Sequence, residues 1–232
     1  MSFYYMLLGH LIGDFVLQTD QIAHNKVKLR KWNALHAAIV TVCMLLFSLP
    51  FGVHVIGAVF VSGILHYYID WYKPRISKRH PLQPLVYFLL DQGVHISILY
   101  VISIFAYPIH QSLLQSPFLI KLMLATVFLT SFCSVLNQFI VKMLVPVSET
   151  DFFKDGEKIT GNLTRLLIAF SIYFSVIYSV WFFLLMIVVL LNFLYKYKTV
   201  WKSWMNRSHL IAKIGLDMVA ALIGAGLLFH IK

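Results

Sequence analysis

The sequence predicts an all-α protein, a polytopic transmembrane helix bundle of about eight helices, with seven as the alternative count. Of its 232 residues, 60% are hydrophobic and only 12% are charged, whereas a soluble domain is about 45–50% apolar and about 25% charged. The mean hydropathy is +0.81. Apolar runs recur along the whole chain, so we expect almost all of it to lie in the bilayer.

Eight apolar runs define the predicted spans, because one bilayer crossing takes about 20 apolar residues. They are residues 3–17, 33–49, 53–72, 85–107, 118–145, 162–178, 180–195 and 209–231. As one helix, residues 162–195 would extend about 51 Å, too long for one crossing. We therefore expect two short helices with a turn near residues 175–179. Pro74, Pro81 and Pro84 are expected to break the connection after the third span.

Basic loops alternate with uncharged connections along the chain. Lys and Arg follow the first, third, fifth and seventh spans, whereas residues 50–52 and 108–117 carry no Lys, Arg, Asp or Glu. The positive-inside rule then places four basic loops in the cytoplasm and both termini outside. The net charge of +10 thus indicates the cytoplasmic ends of helices and no nucleic-acid partner. Cys43 and Cys133 are expected to be packing residues, and the first span is expected to be retained rather than cleaved as a signal peptide.

Seven ionisable side chains interrupt the first four spans, although each costs about 2.5–3.5 kcal/mol in a membrane helix. They are His10, Asp14, His36, His66, Asp70, Asp91 and His95. Six of them form three pairs of His and Asp at spacing i, i+4, which puts both side chains of a pair on one helix face. In the predicted topology all seven lie in or near the cytoplasmic half of the membrane.

This set of side chains predicts a metal centre. Three carboxylates in a low-dielectric pocket would repel one another, and one or two divalent cations would offset them. Seven ligands exceed the four positions of a tetrahedral zinc, which favours a dinuclear site with a bridging Asp. The mixed nitrogen and oxygen donors favour Zn, with Mn or Fe as alternatives. The competing interpretation is a hydrogen-bond network between helices.

Other polar residues are candidates for supporting the metal ligands or for contacting a substrate. They are Gln18, which we expect one turn beyond Asp14, Gln92, Asn137, Gln138 and Arg165. An Arg at this depth either clamps a phosphate or another anion, or extends to the interface. Asp14 and Asp91 are the candidate catalytic groups, and Lys213 with Asp217 is expected to form a buried ion pair.

The remaining histidines and one acidic stretch are expected to be interfacial or solvated. The histidines are His24, His54, His80, His110, His209 and His230, and the acidic residues lie between positions 149 and 157.

A faint internal repeat relates residues 8–15 to residues 64–71. We therefore expect a four-helix metal unit of two hairpins at residues 1–107. Accessory transmembrane helices follow at residues 108–232, and the whole chain is expected to form one integrated domain.

The first hundred residues resemble a known family. Residues 9–18, Gly-His-Leu-Ile-Gly-Asp-Phe-Val-Leu-Gln, resemble the opening of a bacterial membrane family, domain of unknown function 3307. His36, residues 66–73 and residues 88–95 resemble further motifs of that family in the same order, and residues 161–167 are a looser echo. The resemblance implies a multi-pass protein of the bacterial cytoplasmic (inner) membrane, and it implies no substrate.

Three functions fit these observations. The first is a membrane-embedded metal-dependent hydrolase, with its site facing the cytoplasmic side, acting on a lipid-type or amphiphilic ester or phosphoester. Similar intramembrane His/Asp pairs occur in bacterial membrane proteins described as metal-dependent hydrolases, an analogy only. The second is a divalent-cation transporter, because two helices with His and Asp four residues apart resemble the zinc site of cation diffusion facilitators. The third is a non-catalytic membrane protein with a structural metal.

Overall fold

The computed structural model describes residues 2–79, 83–106, 117–144, 156–200 and 207–229. Within these ranges the chain is helical and contains no strand, which confirms the predicted all-α class. Five of the described helices are long enough and apolar enough to cross a membrane. Several predicted features lie outside the described residues: His80, Pro81, His110, His230, the acidic residues before position 156, and the domain boundary at residue 107.

The chain divides into two compact units, Met1–Leu124 and Ala125–Lys232. The helices that begin in the first unit are α1 (Ser2–Leu11), α2 (Asp20–Lys26), α3 (Arg30–Ser48), α4 (Val53–Arg79), α5 (Pro84–Phe105) and α6 (Pro117–Val127). The helices of the second unit are α7 (Cys133–Leu144), α8 (Glu157–Ile177), α9 (Phe183–Thr199) and α10 (Arg207–Phe229).

Helix α1 ends in a π-helical turn, Ile12–Val16. Its wider ring is closed by the amide of Leu17, which donates to the carbonyl of Ile12 over 2.9 Å. Such one-turn insertions re-aim the side chains that they carry and are frequent at functional sites. Here the turn carries Asp14, and the helix ends directly after it. Gln18 therefore lies in the connection to α2, and its predicted place one helical turn beyond Asp14 was wrong.

Helix α4 continues through Pro74 to Arg79, so the prediction that this proline breaks the helix was wrong. Proline has no amide hydrogen, and the carbonyl four residues earlier therefore loses its helical partner. That carbonyl belongs to Asp70. Pro84 occupies the first turn of α5, where a missing amide hydrogen costs nothing.

Four helices of the first unit close into a ring. Helix α1 packs against α3 and α5, and α4 packs against the same two helices. Two glycines bring the backbones of α1 and α3 together. A Cβ on Gly9 would lie 2.5 Å from the Cα of Met44, and one on Gly13 would lie 2.7 Å from the Cα of Val40. Small residues allow such close approach in membrane bundles, and here they place the polar face of α1 beside α3.

In the second unit, α8 packs against both α9 and α10. The helical run breaks between Ile177 and Val180, where Ser179 is extended and its hydroxyl accepts a hydrogen bond from the amide of Trp181 at 3.4 Å. A short 3₁₀ turn, Val180–Phe182, then leads into α9. The predicted division of residues 162–195 into two helices is therefore confirmed.

Candidate metal centre

The four-helix ring positions all seven predicted ligands. Helix α1 and its π-helical turn carry His10 and Asp14, α3 carries His36, α4 carries His66 and Asp70, and α5 carries Asp91 and His95. Six of the seven residues are buried. Asp91 lies at the edge of the cluster, with its side chain 8% exposed.

The first ligand group has the spacing of a tetrahedral metal site. The Nε2 atom of His36 lies 2.9 Å from Asp14 Oδ1 and 3.1 Å from the Nε2 atom of His66. Asp70 Oδ2 lies 3.4 Å from His36 Nε2 and 3.6 Å from His66 Nε2. The bond lengths of zinc place two ligands of a tetrahedron roughly 3.4 Å apart. These four side chains could therefore hold a metal ion.

The second group contains His66, Asp70 and His95 and could also hold an ion. Asp70 Oδ1 lies 3.4 Å from His95 Nε2, which in turn lies 3.7 Å from Asp91 Oδ1. An imidazole nitrogen has one lone pair, so His66 Nε2 binds one ion only. A second ion would therefore rely on Asp91, or on His10, whose Nε2 atom lies 3.8 Å from Asp14 Oδ2.

A network of hydrogen bonds does not satisfy these donors and acceptors. If His36 Nε2 carries a hydrogen and donates it to Asp14, it has no lone pair left for His66 Nε2. If instead His66 donates to His36, the Oδ1 atom of Asp14 loses its donor. In addition, His10 Nε2 and His95 Nε2, which face the cluster, are buried without a hydrogen-bond partner among the described residues. Unpaired buried polar atoms are costly, and the geometry therefore favours a cation over the network interpretation.

Two lysines of the predicted basic loops contact the cluster directly. Lys26 Nζ lies 2.7 Å from Asp70 Oδ2, and Lys73 Nζ lies 2.7 Å from Asp91 Oδ2. Burial opposes the charged form of Lys26, but the carboxylates of Asp70 and Asp14 outweigh it and raise the pKa of this ammonium. The protein therefore offsets part of the carboxylate charge itself. The position of Lys73 three residues after Asp70 indicates a pair within α4, whereas in the structure Lys73 pairs with Asp91 of α5.

Gln92 supports two of the carboxylates, as its predicted position allowed. Its side-chain amide lies 3.2 Å from Asp14 Oδ2 and 3.3 Å from Asp91 Oδ2. The Oε1 atom of Gln18 is buried without a hydrogen-bond partner in the described part of the chain. Gln92 therefore fixes the orientation of the carboxylates, whereas no described contact links Gln18 to them.

A cavity of about 10 Å³ adjoins the cluster and is lined by His10, His66 and His95 together with Met44 and Ser62. This volume holds about one water molecule. The three imidazoles line this small space from three different helices.

The predicted side chains Asn137, Gln138 and Arg165 belong to the second unit, where a different network holds them. A π-helical turn, Phe128–Phe132, precedes α7. The guanidinium of Arg165 donates to the carbonyls of Leu129 and Thr130 within this turn, at 2.5 and 3.1 Å. It also forms a buried ion pair with Asp217. The second unit thus uses Arg165 as the centre of a buried network, and its substrate role stays a prediction.

This network extends to further side chains. Asn137 donates to Asp217 Oδ1 at 2.8 Å, and Gln138 donates to Glu157 Oε1 at 3.1 Å. Lys213 lies 3.2 Å from Glu157 and 3.7 Å from Asp217. The predicted ion pair with Asp217 is therefore present, and Glu157 is a second partner of Lys213. Glu157 is buried beside Lys213.

The solvated or interfacial environment predicted for Glu157 and His209 was wrong, because both are buried. His209 lies 4.0 Å from the carboxylate of Glu157. His24, in contrast, is exposed as predicted.

The ring of helices and its buried His/Asp cluster define a helical, multi-pass membrane protein with a candidate metal centre. Residues 2–124 match the family described as "Protein of unknown function (DUF3307)". The chain belongs to this family, which confirms the resemblance drawn from residues 1–100. The match covers all seven residues of the cluster. No protein of curated function and no solved structure matches the chain significantly.

Proposed function

We propose that the chain is a membrane-embedded metal-dependent hydrolase with a dinuclear His/Asp centre, acting on a lipid-type or amphiphilic ester or phosphoester. One observation carries the proposal: carboxylate oxygens and imidazole nitrogens converge at metal-ligand spacing within a ring of four helices, two of which, α3 and α5, are long and apolar enough to cross a membrane. Zn suits this donor set best, with Mn or Fe as alternatives.

The two central carboxylates support a site with two ions. Asp70 directs Oδ2 towards His36 and His66, and Oδ1 towards His95. Asp14 directs Oδ1 towards His36 and Oδ2 towards His10. A carboxylate with each oxygen facing a different set of imidazoles has the geometry of a bridging ligand, and paired ions about 3.5–4 Å apart are common in hydrolytic sites.

Divalent cations, when bound, would supply Lewis acidity and lower the pKa of a water molecule towards neutrality. The role of the chain is to position the reacting groups and to accept the proton that the water molecule releases. Asp91 is the candidate general base, because its Oδ1 atom has no hydrogen-bond partner among the described residues and because it is the one residue of the cluster that is not fully buried. Gln92 holds Asp14 and Asp91 in place through its amide.

The cluster is proposed to face the cytoplasmic side of a bacterial inner membrane. Lys26 and Lys73 support this orientation, because both lie in basic segments that the positive-inside rule assigns to the cytoplasm.

The test combines metal analysis with turnover. Purified protein, reconstituted with zinc, is expected to hold about two ions per chain and to release phosphate from dioleoyl phosphatidic acid or fatty acid from dioleoyl phosphatidylcholine. Asp91→Asn is expected to lower turnover by about 10²–10⁴-fold, the contribution of a general base. His24→Ala, at an exposed position, is the control. Zinc uptake by proteoliposomes without turnover would favour a transporter, and bound zinc with neither activity would favour a structural metal.

A further inference from the structure

A groove between α4 and α5 leads to the edge of the cluster. Its volume is about 370 Å³, and its walls are Tyr68, Tyr72 and Ile76 of α4 and Tyr87, Leu90 and Val94 of α5. Lys73 and Asp91 also line it. Asp91 therefore belongs both to the groove and to the cluster, where its other oxygen faces His95 at 3.7 Å.

The polar groups of the groove are few. Lys73 directs its ammonium to Asp91 Oδ2 at 2.7 Å, and its side chain is 37% exposed. An ammonium has three N–H donors, so the contact with Asp91 leaves donors for a ligand. The Tyr87 hydroxyl is buried and has no hydrogen-bond partner among the described residues. Besides the carboxylate of Asp91, the groove thus offers a cation and a hydroxyl donor, and its remaining walls are aromatic or aliphatic. These groups match a ligand with one anionic group and a long apolar chain.

Aromatic and basic residues near Lys73 indicate the depth of this part of the groove. The guanidinium of Arg75 lies 4.6 Å from the ring centre of Trp71 and 5.4 Å from that of Tyr72, and Arg30 covers Trp71 at 5.1 Å. Trp, Tyr and Arg are typical of the level of the lipid headgroups. The residues around Lys73 are therefore of the types expected at the level of the lipid phosphates.

The charge of the loaded cluster favours the same ligand. Three carboxylates, Asp14, Asp70 and Asp91, face two ammonium groups, Lys26 and Lys73. With neutral imidazoles, one divalent ion already makes the sum positive, and a second ion adds two more charges. An anionic headgroup would offset this excess.

We propose that the groove between α4 and α5 binds the chain of an anionic phospholipid, whose phosphate is held by Lys73 and Tyr87 beside Asp91. The turnover of that lipid rests on the proposed function, whereas its binding does not. The inference therefore narrows the substrate class to phospholipids whose headgroup carries a net negative charge.

Binding is tested by native mass spectrometry of the zinc-loaded protein in detergent, which distinguishes bound intact lipid from any hydrolysis product by mass. The probes are dioleoyl phosphatidic acid and dioleoyl phosphatidylcholine, which share their chains. We expect the anionic lipid to bind about tenfold more tightly, the effect of one charge-assisted hydrogen bond. Lys73→Gln is expected to remove this preference, and Lys78→Gln, at an exposed position of α4, is expected to keep it. Inorganic phosphate alone is not expected to displace the lipid.

A second pair of variants tests the apolar walls. Leu90→Trp fills the groove and is expected to weaken both lipids by about tenfold or more. Leu89→Trp, at an exposed position outside the groove, is expected to leave binding unchanged. Equal binding of the two lipids by the native chain, or equal effects within either variant pair, would overturn the proposal. If the chain binds the anionic lipid selectively but shows no zinc-dependent turnover, the result would support the lipid-binding groove and reject the proposed hydrolase activity.

Discussion

Replacing His66 by Ala tests the arrangement of the two ligand groups. Within the described part of the chain, His66 and Asp70 contribute to both groups, whereas His36 belongs to one and His95 to the other. If both groups bind ions, His36→Ala and His95→Ala should each lower the zinc content by about one ion per chain. His66→Ala should weaken the site that includes His36 and disturb its neighbour as well.

The expected magnitude follows from the number of ligands. The site around His36 has four ligands, and removal of one leaves three. Loss of a residue that merely orients a ligand costs about 10–100-fold in affinity, so loss of a ligand should cost about 100-fold or more. At a free zinc concentration of 100 times Kd, the native site gains about 2.7 kcal/mol of stability. A 100-fold weaker site gains only about 0.4 kcal/mol under the same conditions.

The assay measures zinc per chain by mass spectrometry after dialysis, together with the zinc-induced shift in Tm in detergent. His24→Ala is the matched control, because His24 is exposed on α2 and bonds only to Lys28 among the described contacts. His36→Gln, which fills the space of the ring, separates loss of a ligand from loss of packing. Size-exclusion chromatography verifies that each variant is folded.

Native zinc content in folded His36→Ala and His66→Ala proteins would refute the arrangement. A native content of about one ion per chain, lost completely in all three variants, would indicate a single site and would reject the dinuclear proposal. If zinc does not change the Tm of the native chain, the cluster would be a structural hydrogen-bond network without a metal.

Three further perturbations test the fold and the charges. Gly13→Ala is expected to destabilise the chain by about 1–3 kcal/mol, because the added methyl group overpacks the contact with α3. Gly57→Ala is expected to stabilise it by about 0.5–1 kcal/mol, because nothing lies within 4 Å of the added Cβ. Thermal unfolding measures both effects. Asp217→Ala should cost about 3–5 kcal/mol, because it leaves buried Arg165 unpaired, and the double variant with Arg165→Met should recover part of this loss. Lys26→Met should increase zinc affinity about tenfold in a chelator competition, because a competing cation is removed.

The spacing of residues along the chain was enough to predict which side chains come together in the cluster. His66 and Asp70 lie one helical turn apart, and any helix places such side chains on the same face. Composition similarly predicted the membrane helices, since an apolar run of bilayer length has few other environments. The break at Ser179 followed from length alone.

The contacts that tune the cluster could not be predicted in this way. Lys26 reaches Asp70 from a position 44 residues earlier in the sequence, and no local pattern marks that pair. The insertion of Asp14 into a π-helical turn depends on how α1 packs, because such turns carry no reliable sequence signal. In the same way, the sequence does not show that Arg165 pairs with Asp217, because the two residues meet only when α8 and α10 pack together.

The sequence by itself determined which side chains lie away from water and which of them share a helix face, because hydrophobic burial and helical periodicity are local properties. Only the tertiary structure decided which charges meet. A membrane helix can satisfy a buried charge with any partner that its neighbours bring within reach, and the close packing at Gly9 and Gly13 selects those neighbours. The cluster is therefore encoded in the spacing of its ligands, and its electrostatic balance is set by the packing of the bundle.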